Sequence, residues 1–294
     1  MLKGILLSLS ANILFGAGYY FAVLLRPLDS DSIFGFRIVV LMPFILLAII
    51  LFHQQKAFKD LYLKIKKQPF LIAILLLLAL NTGVQLWLFL WAPNNGQAIQ
   101  VSIGYLLLPI VAVALGKIIF KEHFTRLKWW ALIFATLGVT INILLTGTIS
   151  WATFVAGFGY PIYIALRRYF NINSLATFFV ELLLLLPFAI YYISQVDQPY
   201  ILSQNQYLYF YLALLGLVNG MAFILYIAAS NTLPINVLGL LGYAEPLVML
   251  FISFAIGEVL EAKSYILMAC LAVSILLLSI DSFSKNIDNS VIKK

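Results

Sequence analysis

The sequence predicts an all-α polytopic membrane protein of ten transmembrane helices, arranged as two inverted five-helix repeats. Three observations carry that expectation: the composition, the distribution of basic residues and an internal repeat. Of 294 residues, 64% are hydrophobic and 10% are charged, against about a quarter charged in a soluble domain. A water-soluble core cannot hide that much apolar surface. A bilayer can, because roughly 30 Å of hydrocarbon is crossed by about 20 apolar residues in a helix rising about 1.5 Å per residue.

Apolar runs bounded by charged, proline-containing or polar turns fall at residues 4–25, 32–52, 69–91, 98–120, 127–146, 151–169, 174–194, 207–231, 236–255 and 263–280. The first run follows Lys3. It is too long for the core of a secretory signal and has no small-x-small cleavage site before the next run, so it reads as a retained span. The polar links are short, the longest covering 53–68, which leaves no soluble domain to hold an extramembrane active site. The expected organisation is a first unit over 1–146, a second over 151–280 and a cytoplasmic tail over 281–294.

Basic residues set the orientation. With a cytoplasmic amino terminus, Lys3, the lysines from Lys56 to Lys67, Lys117, Lys121, Arg126, Lys128, Arg167, Arg168, Lys285, Lys293 and Lys294 all face inward. Arg26 and Lys263 alone face outward, and Arg37 stays inside a span. That asymmetry is the positive-inside pattern, and it puts both termini in the cytoplasm. An odd number of spans would destroy it. The net charge of +7 follows this topology, so it does not indicate a nucleic-acid partner.

The chain also repeats itself. Gly16-Ala17-Gly18-Tyr19 with Arg26 seven residues after the tyrosine is answered by Gly157-Phe158-Gly159-Tyr160 with Arg167 seven residues after its tyrosine. Arg37 lies six residues before Pro43-Phe44, and Glu181 six before Pro187-Phe188. Asn81 and Gly104-Tyr105 match Asn219 and Gly242-Tyr243 at one common offset, while Glu122 and Glu258 follow the fourth and ninth spans. A five-helix unit begins on one face of the membrane and ends on the other, so the second unit runs upside down. Inverted repeats of this kind build many secondary transporters, with the substrate site near the midplane between the halves.

These residues resemble a known family, the ten-helix EamA branch of the drug/metabolite transporter superfamily, and within it the RarD-type permeases. The most specific block is Leu88-Phe89-Leu90-Trp91-Ala92-Pro93-Asn94-Asn95, leading into Gly104-Tyr105-Leu106-Leu107-Leu108-Pro109 and closed by Lys121-Glu122-His123-Phe124. Gly242-Tyr243-Ala244-Glu245-Pro246, followed by Gly257-Glu258, is similar to the broader EamA pattern of the ninth span. Leu108 and Lys121 depart from the RarD-like pattern, which tends to a polar residue before the proline and Gly-Glu after the helix. The resemblance covers essentially the whole chain. It implies a bacterial inner-membrane carrier working by alternating access, an exporter of a small metabolite, with its cavity among helices 1, 3, 4, 6, 8 and 9 and with helices 5 and 10 peripheral.

Ionisable groups within a span cost roughly 2.5 to 3.5 kcal/mol on insertion scales, so each is expected to face protein or water. Arg37, Glu181 and Glu245 are the three candidates. Arg37 and Glu181 sit near opposite leaflets, within snorkelling reach of water, so either a structural or a functional role is open to them and direct pairing between them is not expected. Glu245 lies deeper, and is the candidate to exchange a proton or bind a substrate cation; packing glue is the alternative. Pro109 and Pro246 each remove a backbone donor and free the carbonyl four residues earlier, at Tyr105 and Gly242, marking kink or gating positions. Gly16, Gly18, Gly157 and Gly159 read as close-approach positions between helices. Tyr19, Tyr105, Tyr160 and Tyr243, with Asn81, Asn219, Trp87 and Trp91, are expected to line an amphipathic pocket, Trp91 being equally suited to the interfacial aromatic belt.

His53 and His123 fall in basic loops without metal-ligand spacing. Neither a P-loop nor a dinucleotide glycine pattern occurs, which argues against an ATP-driven pump, and no cofactor is expected. Cys270, the single cysteine, excludes an intrachain disulfide. The expected function is secondary transport of a small metabolite, an amino acid or similar amphipathic solute, and not catalysis. The expected partners are that substrate, membrane lipid and protons as coupling ion, with homodimerisation open. Two rivals stand beside it: an intramembrane enzyme acting on a lipid-linked substrate through Glu245 and Arg37, and a non-transporting scaffold or sensor. The topology is directly testable: a fluorescent-protein fusion at either terminus is expected to be bright and an alkaline-phosphatase fusion inactive, and termini reporting opposite sides would exclude ten spans.

Overall fold

The computed structural model describes residues 2–121, 124–146, 150–230, 232–233 and 241–291. Glu122 and His123, the lysines at 293 and 294, and the first part of the expected ninth span lie outside the described residues. Among the described residues there are helices and turns and no strand. The ten helices that follow the expected runs are α1 (Leu2–Ala17), α2 (Ser30–Leu51), α3 (Leu71–Asn94), α4 (Ala98–Phe120), α5 (Arg126–Thr146), α6 (Trp151–Tyr169), α7 (Leu175–Ser194), α8 (Leu208–Ser230), α9 (Ala244–Ala255) and α10 (Tyr265–Val291). α1 continues through a 3-10 turn at Gly18–Tyr20 into Phe21–Leu24. Two short helices, Lys56–Lys67 and Gln198–Gln204, join the longer ones.

Local chemistry sets the ends. Asp29, Ser150 and Ser174 cap α2, α6 and α7 by accepting a backbone N–H from Ser32, Ala152 and Thr177, which satisfies donors that the helix itself cannot. α4 stops at Lys121, whose left-handed backbone (φ 52°) turns the chain. The last helix differs from expectation: it runs on to Val291, past the boundary at 280.

Among the described residues eight helices are long and apolar enough to cross a membrane: α1 with its extension to Leu24, α2, α3, α4, α5, α7, α8 and α10. The other two occupy the sixth and ninth positions. α6 has 19 residues but is less apolar, and α9 is described over 12 residues.

The packing of these helices has a regular plan. α1 packs on α8 and α9, and α6 packs on α3 and α4. α2 packs on α7 and α8, α7 also packs on α3, α4 packs on α9, and α5 packs on α10. Exchanging each helix for the one five places away turns α1–α8 into α6–α3, α1–α9 into α6–α4, and α2–α8 into α7–α3. Glycines permit the closest crossings: a Cβ on Gly104 would lie 2.6 Å from both the Ala156 Cβ and the Thr153 carbonyl, and one on Gly16 would lie 2.9 Å from the Glu245 carbonyl. The small residue is therefore required by backbone proximity, the packing mode of membrane bundles.

The two ends of the bundle differ. At one end, Arg26 donates to Asn94 Oδ1 (2.9 Å) and Asn205 donates to the Arg26 carbonyl (2.8 Å). At the other, Lys64 of the short helix donates to the Asn171 carbonyl, and Thr125 bonds Asp281. A packed cluster containing Tyr19, Leu88, Phe89, Ala98, Val101, Ala152, Ala156 and Met249 fills the bundle toward the Asn94 end. Thermal unfolding in detergent is expected to separate two glycine substitutions: Gly104→Val loses about 1 to 3 kcal/mol through overpacking, whereas Gly18→Ala, whose Cβ would find its nearest atom at 3.5 Å, is close to neutral.

Candidate functional site

A cavity of about 610 Å³ opens inside the bundle. Of the residues singled out from the sequence, Arg37, Asn81, Tyr105, Pro109, Tyr160, Tyr243, Glu245 and Pro246 line it. It extends to Lys128 on α5 and Asp281 on α10, at the end where Thr125 bonds Asp281. Tyr160 and Tyr226, both lining residues, are 41% and 37% exposed. Toward the Asn94 end the packed cluster around Tyr19 and Phe89 closes it.

α2 carries Arg37 into the cavity and its partners hold it there. Nη1 donates to the Leu86 carbonyl (3.2 Å), Nη2 to Asn219 Oδ1 (3.0 Å), and the guanidinium lies 4.7 Å from the centre of the Phe89 ring. Asn219 is thus the second half of the Arg37 site and is itself steadied by donating to the Leu215 carbonyl (2.9 Å). Its partners leave the Arg37 Nε without a hydrogen bond.

Glu245 reaches the cavity from the first turn of α9. Among the described residues its carboxylate has no hydrogen-bond partner, so the cavity holds a cationic and an anionic group on different walls. The expected proline geometry is altered here. Pro246 sits in the first turn of the described helix, a position that proline tolerates because its missing N–H has no intrahelical acceptor to lose. The Gly242 carbonyl is not free but accepts the Glu245 N–H at 3.3 Å. Pro109, by contrast, lies within the continuous helix α4. Tyr243 is buried with its hydroxyl unpartnered.

Five candidates, Tyr19, Trp87, Trp91, Asn219 and Glu181, stand outside the cavity lining. Tyr19 is fully buried in the closing cluster and donates to the Ala98 carbonyl (3.1 Å). Trp87 faces a second pocket near the Asn94 end, donates to Asp31 Oδ1 (2.6 Å) and stacks on Trp91 at 5.3 Å. Asn219 serves Arg37, and Glu181 is buried behind Thr82 and Tyr163. Arg37 and Glu181 do not pair with each other.

Gln85, Lys128, Leu278 and Asp281 line the cavity without any signal in the repeat. Gln85 and Asn81, one turn apart on α3, donate to the Val155 and Gly159 carbonyls of α6 at 2.9 and 3.0 Å, and Gly159 has no side chain because a Cβ there would meet the Gln85 amide nitrogen at 2.2 Å. Helices α5 and α10, expected at the periphery, contribute Lys128, Leu278 and Asp281, because the cavity extends past the bundle core to the point where their ends meet. Glu258, noted only as a repeat marker, caps α4: its two carboxylate oxygens accept the Ala98 and Ile99 N–H groups, both at 2.8 Å. With Tyr19 on the Ala98 carbonyl, this ties α1, α4 and the segment after α9 together at the closed end. Hydrogen exchange checks the tie: Glu258→Ala is expected to cost about 1 kcal/mol of local stability, as loss of a helix cap does, and to speed exchange at Ala98 and Ile99 before any other part of α4.

The EamA-like transporter family model matches residues 2–144. Among relatives, an uncharacterized transporter of Pasteurella multocida (strain Pm70) is 51% identical over 94% of this chain and 95% of its own. An uncharacterized transporter of Haemophilus influenzae is 46% identical over 100% of this chain and 98% of its own. The chloramphenicol-sensitive protein RarD of Pseudomonas aeruginosa is 32% identical over 95% of this chain and 94% of its own. With its membrane-length apolar helices and these full-length likenesses, the chain is a multi-pass membrane protein that belongs to the EamA-like transporter family.

Proposed function

We propose that the protein is a secondary transporter that moves a small amphipathic metabolite, an amino acid or a solute of similar charge pattern, across the bacterial inner membrane by alternating access. The observation that carries this reading is the cavity closed at one end with Arg37 and Glu245 both exposed to it. A zwitterion satisfies both: its carboxylate meets the guanidinium and its ammonium meets the carboxylate, while Phe89, Tyr105 and Tyr160 receive the apolar remainder. Charged hydrogen bonds of this type are worth about 1.5 to 3 kcal/mol each.

The two five-helix units over 1–146 and 151–280 are the moving parts in this proposal. The exchange-related pairs α1–α8 and α6–α3, α1–α9 and α6–α4, and α2–α8 and α7–α3 support an inverted repeat. Rocking one half on the other would open the Asn94 end and close the Asp281 end around a fixed site. The positive-inside count assigns the Asp281 end to the cytoplasm, so the described state is the one that loads solute from inside, in keeping with export.

A substrate that prefers this folded state raises its apparent stability. Screening purified protein against a metabolite panel is expected to yield a stabilising zwitterion, and proteoliposomes are expected to show its counterflow. Glu245→Gln should weaken binding at least about tenfold, the loss of one charged hydrogen bond. A panel with neither stabilisation nor counterflow, or full flux through Glu245→Gln, would overturn the assignment.

A further inference from the structure

The transport reading leaves one buried charged centre without a task. Glu181, on α7, is completely buried, and one of its oxygens is saturated: Oε2 accepts both the Thr82 hydroxyl from α3 and the Tyr163 hydroxyl from α6, each at 2.8 Å. The other, Oε1, is buried without a hydrogen bond and lies 4.0 Å from Arg167 Nη1. Arg167 is anchored away from it, donating to the Tyr163 hydroxyl and to the Ser174 carbonyl. A carboxylate with one oxygen doubly bonded to donors and the other empty has a place for one more hydrogen.

Access is also provided. Thr82 and Tyr163 line the cavity whereas Glu181 does not, so a single layer of hydroxyls separates water in the cavity from the carboxylate. Either hydroxyl can pass its proton to Glu181 while taking one from cavity water. With hydronium in the cavity water as the donor, two O–H bonds break and two form, neutral water is left behind, and the net change is one proton moved from the cavity to the carboxylate. Rotation about the Cγ–Cδ bond then puts the new O–H on the empty side and leaves both hydroxyls their acceptor.

The other groups around this centre do not compete. α3 brings Asn81, Thr82 and Gln85, all uncharged. α6 brings Tyr160, Tyr163 and Arg167. Arg37 on α2 is held by Leu86 and Asn219, and Lys64 of the short helix is held by Asn171. Arg167 is therefore the charge that a proton on Glu181 would replace; it sits on α6, which moves together with α7 and against Thr82 of α3 if the halves rock.

We propose that Glu181 is the proton-loading site of this carrier, reached from the cavity through Thr82 and Tyr163, with Arg167 as the counter-charge that leaves when the proton arrives. The proposal rests on the transport reading for the purpose of the proton, and it separates the coupling site from the substrate site at Glu245. Thr82 belongs to the other half, so a rocking movement that breaks its bond to Glu181 would change the stability of the proton there and make the proton and the helix movement mutually dependent.

Infrared difference spectroscopy of the purified full-length protein during acid titration tests it, with the proton as the only ligand. In a Glu245→Gln/Asp281→Asn background, which removes the two carboxyls that line the cavity, a buried protonated-carboxyl band is expected to appear on acidification. It should vanish with Glu181→Gln and move by about one pH unit with Tyr163→Phe, which deletes one of the donors on the carboxylate. Should Glu181→Gln fail to fold, Glu181→Asp and Tyr163→Phe carry the same test through displacement of the band. A band unchanged in position and size by all three overturns the proposal. A band that behaves as expected in a protein that transports no solute upholds the protonation site and removes the transport reading instead.

Discussion

Hydrocarbon offers no hydrogen bonds, and that single constraint organises the molecule: every polar group carried into the bundle must be answered by another part of the protein. Most of the answers cross from one half of the chain to the other; the bond of Tyr19 to α4 stays within the first half. Arg37 of α2 is met by Asn219 of α8, Glu181 of α7 by Thr82 of α3, the amides of Asn81 and Gln85 by carbonyls of α6, and the hydroxyl of Tyr19 by α4. The close glycine crossings make these reaches short enough. Remove the glycine at 159 and the Gln85 amide has no room; remove the amide and α3 and α6 lose the bonds that set their spacing.

The same constraint explains the character of the cavity. Where the polar groups satisfy one another fully, as at the closed end with Glu258, Ala98 and Tyr19, the bundle is solid. Where they are left with spare capacity, as at Glu245, the Arg37 Nε and the Tyr243 hydroxyl, the bundle is hollow or borders the hollow. At these three groups unspent hydrogen-bonding capacity faces empty volume, which is what a site for a polar guest requires.

Much of this was legible in the sequence because hydrophobic length and charge placement act locally. Among the described residues each of the ten apolar runs contains a helix, and eight helices are apolar and long enough to be recognised as membrane-crossing on those grounds alone. The charged residues inside spans were visible as costly exceptions, and Arg37 and Glu245 do line the cavity. Partnership was not legible. Nothing in the run around Asn219 announces that its amide holds Arg37, 182 positions earlier, and the repeat marker Glu258 gave no hint that it caps a helix 160 positions earlier in sequence. Tyr19 and Trp87 have the right chemistry for a pocket, but contact order decides where they go, and one is packed into the closing cluster while the other is bound to Asp31.

The weak apolarity of α6 has a bearing on how the protein is made. This helix carries Gly157, Gly159, three tyrosines and the two arginines at 167 and 168, and its most extensive neighbour is α4. Charged and small residues lower the tendency of a segment to partition into lipid unaided, so α6 is poorly equipped to leave the translocon by itself. A groove already presented by α4, with Gly104 open to receive Ala156, gives it a protein surface to enter against. Membrane integration of the second half thereby becomes dependent on completed insertion of the first, and the order of synthesis serves as an assembly instruction.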